Sequence, residues 1–158
     1  MVLKIRKIRL KDIDVLAEIY NQTYLPSVFD IGERWTKKSA YEMLNYWLKR
    51  NPELAFLAES DGKIVGAFLV DVKPWWDGNH LIDGEIFVHP NYQKKGIGTA
   101  LLMFMFDYAI KKYNVIRWDT YTVKGKYPLE WYKSLGFKEI EEWSMISADV
   151  REVLNKLK

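Results

Sequence analysis

The chain of 158 residues contains no cysteine. Disulfides, thiolate metal sites and a cysteine nucleophile are therefore excluded. Histidine is scarce: His80 and His89 stand nine positions apart with no ligand cluster around them, so no metal is expected. No apolar run approaches the roughly 18 residues of a membrane span. The opening Met1-Val2-Leu3-Lys4-Ile5-Arg6 alternates apolar and basic residues, which reads as a strand and not as a signal peptide. A cytoplasmic location away from membranes is expected. Charge of one sign is also lacking: the net charge of +3 is too small to call for a nucleic-acid partner. Repeats, low-complexity tracts and long linkers are absent, so one domain over 1–158 is expected.

Aromatic residues are plentiful, at 15% of the chain, and they can pack a core or line a pocket. Leu3, Ile5 and Ile8 suggest a first strand. Asp12 can cap a helix with Ile13, Leu16, Ala17, Ile19 and Tyr20 on its apolar side. Tyr24 to Trp35 reads as a loop, and Thr36 caps a second helix to about Lys49. Ala55 to Glu59 is a short strand, Asp61-Gly62 a hairpin turn, and Ile64 to Val72 the returning strand. Pro74 to Asn79 reads as a turn and Leu81 to Val88 as a further strand. A helix follows Gly96 through about Lys112, then a strand from Val115 to Val123. Pro128 sits in the first turn of a short helix over 129–135, which Gly136 ends. Phe137 to Ile146 reads as a strand and Asp149 to Lys158 as a terminal helix. The order βααβββαβαβ describes a mixed α/β or α+β domain.

The chemistry concentrates in Val88-His89-Pro90-Asn91-Tyr92-Gln93-Lys94-Lys95-Gly96-Ile97-Gly98-Thr99-Ala100. A strand ends, a basic loop follows, and an apolar helix begins. The first amides of a helix have no intrahelical partner, and the helix dipole adds partial positive charge at that end. Gly96 and Gly98 lack a Cβ, so a phosphate or pyrophosphate can approach the backbone, with Lys94 and Lys95 around it. The glycine spacing is equally compatible with a tight strand-to-helix turn. A P-loop is excluded because no Lys-Ser or Lys-Thr follows Gly98. A dinucleotide fingerprint is excluded because its third glycine is Leu101.

Gln93-Lys94-Lys95-Gly96-Ile97-Gly98 matches the pattern [Q/R]-x-x-G-x-[G/A], and Val88-His89-Pro90-Asn91-Tyr92 matches V-x-P-x-[YF]. Downstream, Trp131-Tyr132-Lys133-Ser134-Leu135-Gly136-Phe137 matches [FLW]-Y-x-x-x-G-F. In these motifs and their order the chain resembles the GNAT family of acyl-CoA-dependent N-acetyltransferases. The resemblance covers nearly the whole chain. It implies a mixed, mostly antiparallel central sheet with splayed central strands, flanked by helices. It implies acetyl-CoA as co-substrate, held by Phe87, Val88, Gln93, Lys94, Lys95, Gly96, Ile97, Gly98 and Thr99. The pyrophosphate would rest on the glycine loop, and the pantetheine arm would lie between strands ending near Val88 and Thr122. A backbone N–H near Val88 would polarise the thioester carbonyl.

The same resemblance points to N-acetylation of a primary amine by direct attack in a ternary complex. The acceptor would be a small-molecule amine or a protein amine. An alternative is a non-catalytic acyl-CoA-binding regulatory module of the same fold. An amine is mostly protonated at neutral pH, so a base is needed, and the departing thiolate profits from an acid. Tyr132, the hallmark tyrosine, is the expected acid, with Tyr127 near the same helix; the bland reading is a packing tyrosine. Glu85 is the expected base. Asp83 shares its face if the strand keeps its two-residue period, and His89 is a further possibility. Where many family members carry an asparagine seven residues before the hallmark tyrosine, this chain has Gly125. Lys124 and Lys126 flank it and read as CoA-phosphate contacts or as solvated surface. The acceptor is expected against Tyr24-Leu25-Pro26-Ser27-Val28-Phe29-Asp30, Glu33 and Trp75-Trp76-Asp77. A homodimer is plausible from edge strands and aromatic surface.

Overall fold

The computed structural model describes residues 2–25 and 29–158. The chain forms two compact units, Met1–Tyr121 and Thr122–Lys158.

The first unit is built on five strands: β1 (Leu3–Lys7), β2 (Ala55–Ser60), β3 (Lys63–Trp75), β4 (Gly78–Val88) and β5 (Val115–Asp119). They lie side by side in chain order. The first three pairings are antiparallel and β4–β5 is parallel, so the sheet is mixed and mostly antiparallel, as expected. Asp61 and Gly62 both take positive φ, 49° and 80°, the twist that a two-residue hairpin needs. β3 and β4 run further than the sequence suggested. Pro74 still pairs with Asn79, and the turn narrows to Trp76 and Asp77. Proline is tolerated there because the ladder is ending.

Helices α1 (Ile13–Thr23) and α2 (Lys37–Arg50) cover one face of the sheet. Leu16, Ala17 and Tyr20 of α1 and Ala40, Leu44 and Trp47 of α2 form one core with Leu57, Ala67, Leu69 and Phe87. Helix α3 (Ile97–Tyr113) covers the other face, where Phe104 packs edge-on against Phe56 at 4.9 Å and Phe106 against Trp118 at 5.9 Å. Thr36 caps α2 by accepting from Ser39 N at 3.1 Å. Asp12 does not cap α1. A 3-10 turn over Leu10–Asp12 runs straight into the helix, and the buried carboxylate takes both arms of the Arg6 guanidinium at 2.8 and 3.0 Å. A bidentate charged pair wins over a single amide.

The feature that shapes the site is a bulge in β4. Asp83 and Gly84 take φ of 55° and 92°, and these two residues stand where β3 has only Val70. Only glycine fits at 84: a Cβ there would lie 2.4 Å from the Leu69 carbonyl oxygen. The β4–β5 ladder ends at Ile82↔Asp119, and β4 from Asp83 onward pairs with β3 alone. The strands therefore part at the bulge. Trp118 Nε1 donates to the Asp83 carbonyl at 2.8 Å and pins the point of divergence. The fifth strand was expected to reach Val123; it stops at Asp119 because its partner has turned away.

In the second unit, α4 (Tyr127–Ser134) carries Pro128 in its first turn and ends at Gly136, φ 95°. Asp149 caps α5 (Val150–Leu157) by accepting from Arg151 N at 2.8 Å. The strand expected over Phe137 to Ile146 is not formed. A strand exists only with a ladder partner, and among the described residues none of 137–149 takes part in a ladder. Among the described residues no helix is long and apolar enough to cross a membrane.

Candidate functional site

β4 delivers two groups to the region where the strands part. The first is Glu85, directly after the bulge. The bulge resets the alternation, so Ile82 and Glu85, three apart, face Asp71 and Leu69. The two-residue period that would place Asp83 beside Glu85 does not hold across this step. Electrostatics still couple the two carboxylates.

Glu85 is partly buried, and its Oε2 accepts from the Tyr20 hydroxyl at 3.0 Å. The Tyr20 ring lies 4.5 Å from Tyr24, 5.0 Å from Trp35 and 5.1 Å from Phe87, the last two edge-on. Burial in this aromatic box pushes the Glu85 carboxyl up to about 7, and the charges of Asp83 and Glu33 act in the same direction. The Tyr20 hydrogen bond works against them. Burial also raises Asp83, while a hydrogen bond from Tyr121 favours its ionised form. Burial raises Tyr20 and Tyr121 as well, so both phenols stay protonated. Glu33 accepts from Trp35 Nε1 at 2.5 Å.

The second group is the loop at the strand exit. The Val88 carbonyl accepts from Gln93 Nε2 at 3.0 Å, which folds the loop back on the strand. Lys94 takes a positive φ of 58°, and Gly96, φ 80°, is the left-handed residue that starts α3. Gly98 and Thr99 belong to the first turn of the helix, behind buried Ile97. Lys94, Lys95 and Gly96 are exposed, and no acidic residue occupies the first turn. Lys95 Nζ bonds the Asn91 carbonyl at 2.9 Å. These residues fit an anionic ligand: free helix amides, an open backbone at the left-handed glycine, and positive charge nearby.

The remaining residues singled out from sequence divide. Phe87 is buried and forms a wall of the aromatic box. His89 Nδ1 accepts from Asn91 N at 3.1 Å and shapes the loop. Tyr132 is buried in the second unit against Trp131 at 5.0 Å and Phe137 at 5.1 Å, while Tyr127 is exposed. Lys124 and Gly125 are exposed and Gly125 has φ 72°. Glu33 acts on Glu85 through its charge, Tyr24 packs on Tyr20, the partner of Glu85, and Phe29 packs on Tyr24 at 5.8 Å. Pro26, Ser27 and Val28 lie outside the described residues.

Trp75-Trp76-Asp77 is not brought there. It sits at the opposite end of β4, eight residues from Glu85 and so about 25 Å along the strand. Asp77 is engaged with buried His80, whose ring nitrogens meet Asp77 at 2.8 Å and Asp119 at 2.5 Å. Tyr20 and Trp35 are the site residues that sequence reasoning missed. A tyrosine on an apolar helix stripe was the available signal, since a buried phenol needs a partner. A groove of about 570 Å³ beside the strand exit is lined by Val15, Ile19, Ile64 and Tyr92 but does not include Glu85. Among the described residues no cluster of three metal-ligating side chains occurs.

A mixed sheet that opens at a bulge beside a glycine-led helix start is the arrangement shared by a class of acyl-group transferases. The chain belongs to the acetyltransferase (GNAT) family, whose model matches residues 13–137. It is similar to an uncharacterized N-acetyltransferase of Methanocaldococcus jannaschii, with 34% identity over 142 residues. That match covers 87% of this chain and 61% of that protein, so the chain spans about three fifths of the relative's length. A possible acetyltransferase from Clostridium difficile 630 shares the fold with a TM-score of 0.73 at 19% identity, over 94% of this chain and 98% of that one. So does a predicted acetyltransferase from Clostridium acetobutylicum, whose structure contains acetyl-CoA: TM-score 0.69, 21% identity, 96% and 98% covered. A PaiA N-acetyltransferase from Thermoplasma acidophilum in complex with coenzyme A gives 0.70 at 21% identity, with 87% and 91% covered.

Proposed function

We propose that this chain transfers an acetyl group from acetyl-CoA to a primary amine. The observation that carries the reading is Glu85: a carboxyl raised to about 7 by its burial, set where β4 and β5 part and three residues ahead of the strand exit that leads to the glycine loop. An ordinary surface glutamate is too weak a base for an ammonium. One near 7 is a stronger base and is still substantially ionised at neutral pH.

In this reading the pyrophosphate of acetyl-CoA rests on the loop of Gln93 to Thr99, as the two CoA-bearing neighbours make reasonable. The pantetheine arm runs along β4 beyond the bulge, whose free edge is unclaimed by β5. The acceptor enters as an ammonium against Tyr24 and Trp35, half-buried rings that suit a cation, with Glu33 adding negative charge. Its proton passes to Glu85. The neutral nitrogen attacks the thioester carbonyl, the C–N bond forms, and the C–S bond breaks. The thiolate of CoA leaves with the proton of Tyr132, a role supported by the hallmark motif, and the second proton, shed by the nitrogen as the amide forms, restores the Tyr132 phenol by way of solvent. The site brings both reactants together, so no covalent intermediate on the enzyme is needed.

Release of CoA thiol in the presence of amines tests this. Glu85→Gln should lower turnover by a factor of about 10²–10⁴ and remove the acidic limb of the pH–rate profile. An unaltered profile would take Glu85 out of the mechanism.

A further inference from the structure

Tyr20 is 2% exposed, and its hydroxyl has a defined partner, Glu85 Oε2 at 3.0 Å. The ring is held on three sides by Tyr24, Trp35 and Phe87, contributed by the residue that closes α1, the segment before α2, and β4. A ring so packed keeps one rotamer, and its hydroxyl keeps one direction. The groups that act on the carboxylate from the surrounding elements are Asp83 on β4, Glu33 ahead of α2 and Tyr20 on α1. Tyr121, beyond β5, feels the same three carboxylates and bonds Asp83. Burial and the two acids oppose ionisation of Glu85, and the Tyr20 hydroxyl is the donor that favours it.

We infer that Tyr20 is a positioning residue: its hydroxyl fixes the Glu85 carboxylate in the aromatic box and sets the pH above which that carboxylate can take the proton of the acceptor amine. The inference deepens the reading of Glu85 as base and rests on it for its catalytic consequence. The phenol touches neither reactant. It acts by stabilising the ionised carboxylate, so the proton moves from amine to Glu85 while the Tyr20 O–H stays covalently whole.

Tyr20→Phe removes the hydroxyl and keeps the ring. The Glu85 titration is read directly by carbon NMR of the side-chain carboxyl in protein labelled at glutamate, the resonance being assigned by its loss in Glu85→Gln. The midpoint should move up by about one to two pH units in Tyr20→Phe, the size of a lost hydrogen bond to a charged group. The acidic limb of kcat/KM should move by the same amount, and the rates should converge above both midpoints. A purely structural role would lower the rate at every pH and leave the limb in place.

A second variant places 3-fluorotyrosine at position 20 alone. Its hydroxyl is a stronger donor on an unchanged framework, and the midpoint should move down. An unmoved midpoint in either variant overturns the inference. If the midpoints move as stated and the kcat/KM limb does not follow, Tyr20 does control Glu85, but Glu85 is not the base and the proposed mechanism falls.

Discussion

Replacing Glu85 by glutamine removes a costly charge from the aromatic box and leaves an acceptor for the Tyr20 hydroxyl. The folded carboxyl titrates at about 7 and an ordinary glutamate at 4.5. That gap of about 2.5 pH units, at about 1.4 kcal/mol per unit, corresponds to about 3 kcal/mol held against the folded state once the carboxyl is ionised. Water reaches the partly exposed side chain and screens the charge, so about 1–2 kcal/mol is the expected gain from the substitution. The sign follows from the raised folded value. Below pH 4.5 the carboxyl is protonated in both folded and unfolded chains, and its removal gains nothing. Between 4.5 and about 7 the unfolded chain ionises first, so wild-type stability falls with pH and the advantage of the variant grows. Above about 7 the advantage is complete. Thermal denaturation at pH 4.5 and pH 8 reads this as a difference of about 3–6 °C that appears only at pH 8. Equal shifts at both pH values, or a less stable variant at pH 8, would refute the placement of Glu85 in a box that resists its charge.

The bulge yields a contrast between two glycines. Gly84→Ala brings a methyl to 2.4 Å from a backbone oxygen at φ 92° and should cost about 3 kcal/mol or more. Gly96→Ala meets open space at φ 80° and should cost only about 1–2 kcal/mol; similar denaturation midpoints for the two would refute the bulge geometry. Tyr132→Phe should lower turnover by about 10²-fold with little change in acetyl-CoA affinity. Unchanged turnover in thiol-release assays would remove Tyr132 as the acid.

The glycine loop and both hallmark motifs were legible because local backbone chemistry decides them. A strand exit, Gly96 and an apolar run specify a helix start without help from the rest of the chain. Glu85 was legible as an acid on the strand that leads to that loop. Its environment was not, because Tyr20 and Trp35 come from distant stretches and meet the strand only after α1 and α2 dock. The bulge was hidden for a different reason. A period-two reading assumes an unbroken ladder, whereas Asp83-Gly84 adds one residue and turns the strand. From that single step follow the early end of β5 and the altered relation of Asp83 to Glu85. Phe137 to Ile146 has strand-forming residues, but propensity does not supply a ladder partner. Asp12 is a good capping residue on sequence grounds, and Arg6 took its carboxylate instead.

Calorimetric titration of acetyl-CoA into the wild-type protein and into Gly98→Glu tests the account most directly. Micromolar binding by the wild type, abolished when a carboxylate enters the first turn of α3, is the predicted result. No binding by the wild type, or equal binding by the variant, would contradict the assignment of the loop to the donor and with it the proposed acetyl transfer.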